Sequence, residues 1–282
     1  MLSVSRLARM LPRTHWLRYI AGLDPETDYE EIYRVTVTHE FPWDMNQALS
    51  FALFRTYAVP SIGRLLDQTG EFTARTQKRY DDTALLLEAP FVHGFDSHEG
   101  KAAIRRINQM HRAYDISNDD FLYVLATFVV VPKRWLDDYG WRSLSTTELR
   151  AMVNYYRALG RHMGIKDIPE TYDAFMHLMD DYERAHFDFD AGGRRVADAT
   201  LALMTTFYPR PVRRPVEVFS RALMDKPLLD AFELTSRLFA EAGVAVQTVY
   251  AAFGSKPGIL LALLDRLEAD ADPDRLARDL RG

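Results

Sequence analysis

An all-α fold is what this 282-residue sequence predicts, and three observations carry the prediction. Apolar residues recur at three- and four-residue spacing along most of the chain, which is the period of a helix with one buried face. Strand-like alternation is nearly absent, Val35-Thr36-Val37-Thr38 being the only β-branched run. Residues that cap or break helices fall between the periodic stretches. A hydrophobic share of 48% is enough to bury a real core.

The elements follow in order. Tyr29 to Thr38 opens as a helix after Asp24-Pro25-Glu26, with Asp28 suited to cap it. Pro42 breaks the chain, and Asp44 is expected to cap the next helix, which carries Ala48, Phe51, Ala52 and Phe54 and ends by Pro60. Ile62, Leu65 and Leu66 mark a segment that closes at Gly70. Glu71 to Leu87 reads as one longer helix, followed by a loop from Pro90 to Gly100. From Lys101 to Tyr114, the residues Ile104, Ile107, His111 and Tyr114 share one helical face.

Further on, Asn118 or Asp119 is expected to cap the apolar run Phe121 to Val131, which meets Pro132. Ser145 with Glu148 three residues later is a capping box, opening a helix to about Gly160 or Gly164. Pro169 and Thr171 lead into Tyr172 to His186. Gly192-Gly193 reads as a turn, Val196 to Phe207 as a helix, and Pro209 to Pro215 as a loop before two or three short helices and a charged tail.

Composition narrows the chemistry. The chain has no cysteine, which removes disulfides, thiolate-ligated haem, covalently attached haem, iron–sulfur clusters and any cysteine nucleophile. The net charge of −5 makes no electrostatic case for nucleic acid. No stretch approaches the roughly 20 apolar residues that span a bilayer. The expectation is a cytoplasmic protein. Residues 1–22 interleave Arg6, Arg9, Arg13 and Arg18 with Leu2, Val4, Leu7, Met10, Leu11, Trp16, Leu17 and Ile20. That pattern suits a helix docked on the domain, or a basic amphipathic segment in peripheral contact with an anionic membrane.

Two groups of residues are able to carry chemistry. His111 sits on the apolar stripe of its helix, where an unpaired buried polar atom costs about 1–3 kcal/mol. A core hydrogen bond is the usual answer; an axial bond to haem iron is the other, and Asn108, one turn earlier, is placed to orient such a ring. Arg79, Asp82 and Thr83 share a helix face. They amount either to an exposed Arg79–Asp82 ion pair or to a fixed cation, a carboxylate and a hydroxyl facing one point, as dioxygen chemistry at iron requires.

Arg79-Tyr80-Asp81-Asp82-Thr83, then Gly94-Phe95-Asp96-Ser97, then Ala103 to His111 together resemble the MpaB-type oxygenases and their relatives, the latex-clearing rubber oxygenases. Leu23 to Tyr29, Glu40-Phe41-Pro42-Trp43-Asp44, Ile116 to Asp120, Gly140-Trp141-Arg142, Gly164-Ile165 and Tyr182-Glu183 extend the likeness over about residues 23–190. The resemblance implies a single multi-helix domain, globin-like or a bundle, with a haem pocket. It implies haem b as the iron cofactor, dioxygen as co-substrate, and oxidative cleavage of a C=C bond in a lipophilic, isoprenoid-like substrate. By position, His111 matches the family's proximal iron ligand, and Arg79 and Thr83 match the distal arginine and threonine. Asp82 departs from the pattern, since rubber oxygenases carry a lysine there. An open or water-filled sixth position is therefore expected, with Asp82 relaying protons. The catalytic glutamate proposed for the rubber enzymes has no counterpart that can be placed here.

Two other constellations compete. Glu183-Arg184-Ala185-His186 has the Glu-x-x-His spacing of di-iron bundles, but no second copy accompanies it. Phe239 to Lys256 resembles the helix-turn-helix of TetR-type repressors, although two basic against two acidic residues between Phe232 and Lys256 leave little charge for phosphates. The expected organisation is thus an N-terminal segment 1–22, an oxygenase domain 23–231 and a helical extension 232–282. The alternative to an oxygenase is a cofactor-free helical protein, either a lipid-binding module or a DNA-binding regulator working through residues 239–256.

Overall fold

The computed structural model describes residues 12–234, and the fold across them is all-α, with no strand among the described residues. The basic stretch before residue 12 and the helix-turn-helix-like stretch 239–256 lie outside the described residues.

The helices are α1 (His15–Ile20), α2 (Tyr29–Val35), α3 (Pro42–Thr56), α4 (Pro60–Gln68), α5 (Glu71–Ala74), α6 (Thr76–His93), α7 (His98–His111), α8 (Asn118–Tyr139), α9 (Thr146–His162), α10 (Tyr172–His186), α11 (Ala191–Thr206), α12 (Arg213–Ala222) and α13 (Lys226–Ala231). A π-helical turn, Thr36–Glu40, follows α2 and takes up most of the β-branched run.

Some starts and stops follow the local signals. Ser145 and Glu148 form the reciprocal capping box, with Ser145 Oγ accepting from the Glu148 N–H at 3.2 Å and Glu148 Oε2 accepting from the Ser145 N–H at 2.8 Å. Thr171 Oγ1 accepts from the Ala174 N–H at 3.2 Å and opens α10.

Others differ from expectation, each for an identifiable reason. Ser117, not Asn118 or Asp119, caps α8: its backbone is extended and its Oγ accepts from the Asp120 N–H at 3.0 Å. α3 starts at Pro42, whose missing N–H is harmless in the first turn, so Asp44 lies inside the helix and accepts from Trp135 Nε1 at 3.1 Å. The chain breaks at Arg75 (φ −141°, ψ 45°), dividing the expected long helix into α5 and α6. Pro90 and Pro132 lie within α6 and α8 rather than ending them, and both are buried. Packing there outweighs the lost backbone hydrogen bond. Gly192-Gly193 is no free turn: Asp190 Oδ1 accepts from both N–H groups (2.9 and 3.0 Å) and starts α11. A Cβ on Gly193 would lie 2.3 Å from the Tyr57 carbonyl oxygen, so that approach is open only to glycine. Within 209–215, a 3-10 turn and the first residues of α12 replace the expected loop.

The chain divides into two compact units between Thr200 and Leu201. In the first, α8 is the central helix, packed against α3, α10 and α9, with buried side chains running from Asp120 to Leu136. α2 packs on α9, and α6 on α7. Ile20 of α1 is fully buried in a cluster with Ile32, Val35 and Ala151, so this part of the N-terminal segment is docked on the domain. In the second unit, Met224, Leu228 and Phe232 are buried, and Asp225 Oδ1 caps α13 by accepting from the Leu228 N–H at 3.2 Å.

Candidate functional site

α7 delivers His111. Its start is set by a tight turn in which Gly94 takes φ 88° and Ser97 Oγ accepts from the Gly100 N–H at 2.8 Å. A Cβ on Gly100 would lie 2.1 Å from the Gly94 carbonyl oxygen, which explains the Gly94-Phe95-Asp96-Ser97 stretch as the launch of this helix. Ala103, Ile104 and Ile107 are buried along the inner face, and His111, the last residue of α7, is half-buried at its end. Tyr114, expected on the same stripe, falls beyond the helix and is exposed.

The His111 ring meets Phe121 edge-on at 5.2 Å. Its Nδ1 is buried and has no hydrogen-bond partner among the described residues. Burial, with the Arg79 guanidinium adding to it, holds the imidazole below its ordinary pKa. The ring is therefore neutral near pH 7 and keeps a lone pair to give.

Beside it lies a cavity of about 350 Å3, within the size range of small-molecule sites, lined by Asn108, His111, Arg112, Tyr114, Phe121, Arg161, His162, Met163 and Gly164. Asn108 faces this cavity, and its Nδ2 donates to the His162 carbonyl oxygen at 3.0 Å, tying the end of α9 to α7 rather than orienting His111.

The packing of α6 on α7 accounts for the electrical influence of Arg79 on His111. Arg79 Nη1 donates to Thr83 Oγ1, and that hydroxyl donates to the Arg79 carbonyl oxygen at 2.8 Å. The guanidinium also stands 5.2 Å from the Phe72 ring centre. Arg79 and Thr83 thus act as one unit. Asp82 does not join them: its carboxylate pairs with Lys78, not Arg79, and the Lys78 hydrogen bond holds its pKa below the usual range.

Sequence reasoning left Arg112, Phe121, Arg161, His162 and Met163 unassigned. Arg161 and His162 fall in the last turn of α9, where basic residues suit the helix dipole, so nothing local marks their place at the cavity.

The competing metal motif is otherwise engaged. Glu183 is buried, bound by Arg55 (Nε to Oε1 2.7 Å) and by the Tyr123 hydroxyl at 3.1 Å, while the His186 ring stacks on Tyr182. Among the described residues, no group of three or more His, Asp or Glu side chains is placed to hold a bare metal ion. One neutral imidazole with an orphaned nitrogen is a single donor, so it would hold only a metal that brings its other ligands with it.

Comparison with known proteins gives the family of the chain. The model of a family described as "ER-bound oxygenase mpaB/B'/Rubber oxygenase, catalytic domain" matches residues 45–253, which include Arg79, Asp82, Thr83, Asn108 and His111. The chain is 33% identical over 209 residues to the ER-bound oxygenase mpaB of Penicillium brevicompactum, covering 67% of this chain and 53% of that protein. It is 32% identical over 211 residues to the ER-bound oxygenase mpaB' of the same fungus, covering 68% of this chain and 50% of that one. With the ER-bound oxygenase mpaB of Penicillium roqueforti it shares 32% identity over 226 residues, 73% of this chain and 76% of the relative. The chain spans about half the length of the two P. brevicompactum proteins. Among its described residues, no helix is long and apolar enough to cross a membrane. With the match running through three quarters of its length, the chain belongs to the MpaB/rubber oxygenase family.

Proposed function

We propose that this protein is a haem b-dependent oxygenase that attacks a C=C bond of a lipophilic, isoprenoid-like substrate with dioxygen. The observation that carries the reading is His111: a neutral imidazole at the end of an apolar stripe, with a buried nitrogen that no group among the described residues satisfies. Haem bound there would supply the iron that activates dioxygen.

The protein's own residues have distinct parts. His111 would hold the iron from one side, and its place at the end of α7 fixes the ring. Arg79 keeps a positive charge near the site, held in place by Thr83 and the Phe72 ring, where it stabilises negative charge that develops during reaction. Asp82 is ionised and paired with Lys78, so at neutral pH it has no proton to deliver and its carboxylate is drawn away from the Arg79–Thr83 pair. Leu86, one turn on from Thr83, is half-buried on the same face of the helix, an apolar neighbour for an alkene. Peripheral membrane contact, in keeping with the ER-bound relatives, suits the delivery of such a substrate.

The test is an absorption spectrum. Protein purified with haem, or titrated with haemin, should show a Soret band characteristic of histidine ligation, which His111→Ala shifts or removes. A colourless protein whose spectrum with haemin equals free haemin would end this reading.

A further inference from the structure

The cavity beside His111 is cationic. Arg112 and Arg161 line it with His111 and His162, and no aspartate or glutamate is among its lining residues. Several buried or half-buried arginines of this unit are held by carboxylates, Arg55 by Glu183, Arg134 by Asp180, and Arg142 by Glu40 and Glu148. Arg112 and Arg161 have no carboxylate partner among the described residues. Each lies at a helix C-terminus, where a cation complements the helix dipole. The dipole does not account for their convergence, from two different helices, on a cavity that also holds a neutral imidazole.

Resting on the reading of His111 as a haem ligand, we infer that Arg112 and Arg161 receive the carboxylate side chains of the porphyrin and so set its orientation on the His111 ring. Two planar forks lining one cavity match the two carboxylates that a flat, otherwise apolar macrocycle carries. Arg112 and Arg161 are both exposed, so carboxylates held by them would stay partly hydrated. A carboxylate-bearing lipophilic substrate offers the same chemistry, and the experiment separates the two.

Full-length protein freed of haem is titrated with haemin and with haemin dimethyl ester, following the Soret band. Haemin should bind about tenfold more tightly than the ester. In Arg112→Ala/Arg161→Ala the two should bind alike, and Arg112→Lys/Arg161→Lys should keep part of the difference. Equal affinities in the unaltered protein, with histidine-type spectra for both, overturn this inference and leave the haem reading standing. A haemin–ester difference that survives in the double alanine variant also overturns it. So does loss of oleate binding in that variant with the haemin preference intact, which would assign the arginines to the substrate. If neither porphyrin gives a histidine-type spectrum, the haem reading and this inference fail together. The comparison of the two porphyrins on unaltered protein needs no variant to fold.

Discussion

Arg55 and Glu183 form a two-pronged, buried ion pair that ties α3 to α10: Arg55 Nε reaches Glu183 Oε1 at 2.7 Å and Nη2 reaches Oε2 at 2.5 Å. The Tyr123 hydroxyl from α8 donates to Oε1 as well, so three helices meet on one carboxylate. Side-chain exposures of 12% and 9% leave little solvent to screen the pair. Breaking such a pair from one side strands a charge in low dielectric, at a cost of about 3–5 kcal/mol. Glu183→Gln should therefore lower the melting temperature by about 6–20 °C, and Arg55→Met/Glu183→Leu should regain part of the loss. A melting temperature unchanged in Glu183→Gln would show that this carboxylate does not hold the helices together.

The same carboxylate shows what the sequence alone reveals and what it hides. Glu183 and His186 are three residues apart, so a metal motif is visible locally; Arg55, 128 positions away, is not. Ser145 with Glu148, and Thr171 before α10, are legible because their hydrogen bonds close within three residues. Ser117 is not, because Asn118 and Asp119 cap equally well and only the backbone angles choose among them. Pro90 and Pro132 read as helix ends, since the penalty of about 3 kcal/mol is local while the packing that offsets it is tertiary. At the candidate site, the stripe Ile104–Ile107–His111 can be read from spacing. The second wall, Arg161 to Gly164, depends on how α9 meets α7, and no local pattern encodes that.

Acid should unfold this protein partly through two carboxylates, Asp67 within α4 and Asp190 just before α11. Arg195 holds the Asp67 carboxyl below its usual pKa, against the opposing effect of burial. Burial pushes Asp190 up, but Arg64 and the N–H groups of Gly193 and Gly192 outweigh it and hold the carboxyl low. With folded pKa values below the unfolded value of about 3.9, each group adds stability that is fully present above about pH 5 and is lost as pH falls through the folded pKa. Asp67→Asn and Asp190→Asn should thus be destabilised relative to the unaltered chain at pH 7 and much less so at pH 3. Urea denaturation across that range measures it, and a difference that stays constant with pH would contradict the argument.

Where haem binds as proposed, the residues of α6 should separate in order of their influence on an anion at its iron. Arg79 brings a charge that the described structure leaves without a carboxylate counter-ion, and the haemin-loaded Arg79→Gln variant should bind cyanide about tenfold more weakly. Thr83→Val removes the hydroxyl that takes the Arg79 Nη1 hydrogen, freeing the guanidinium to swing, and should cost about threefold. Asp82 is half-exposed and already neutralised by Lys78, so Asp82→Asn should leave cyanide affinity within about twofold. Cyanide titrations of the three loaded variants at one pH and ionic strength give the ranking directly. An Asp82→Asn effect larger than that of Thr83→Val would mean that the carboxylate turns from Lys78 toward the iron when haem is bound, and would restore it as a participant in the proton chemistry.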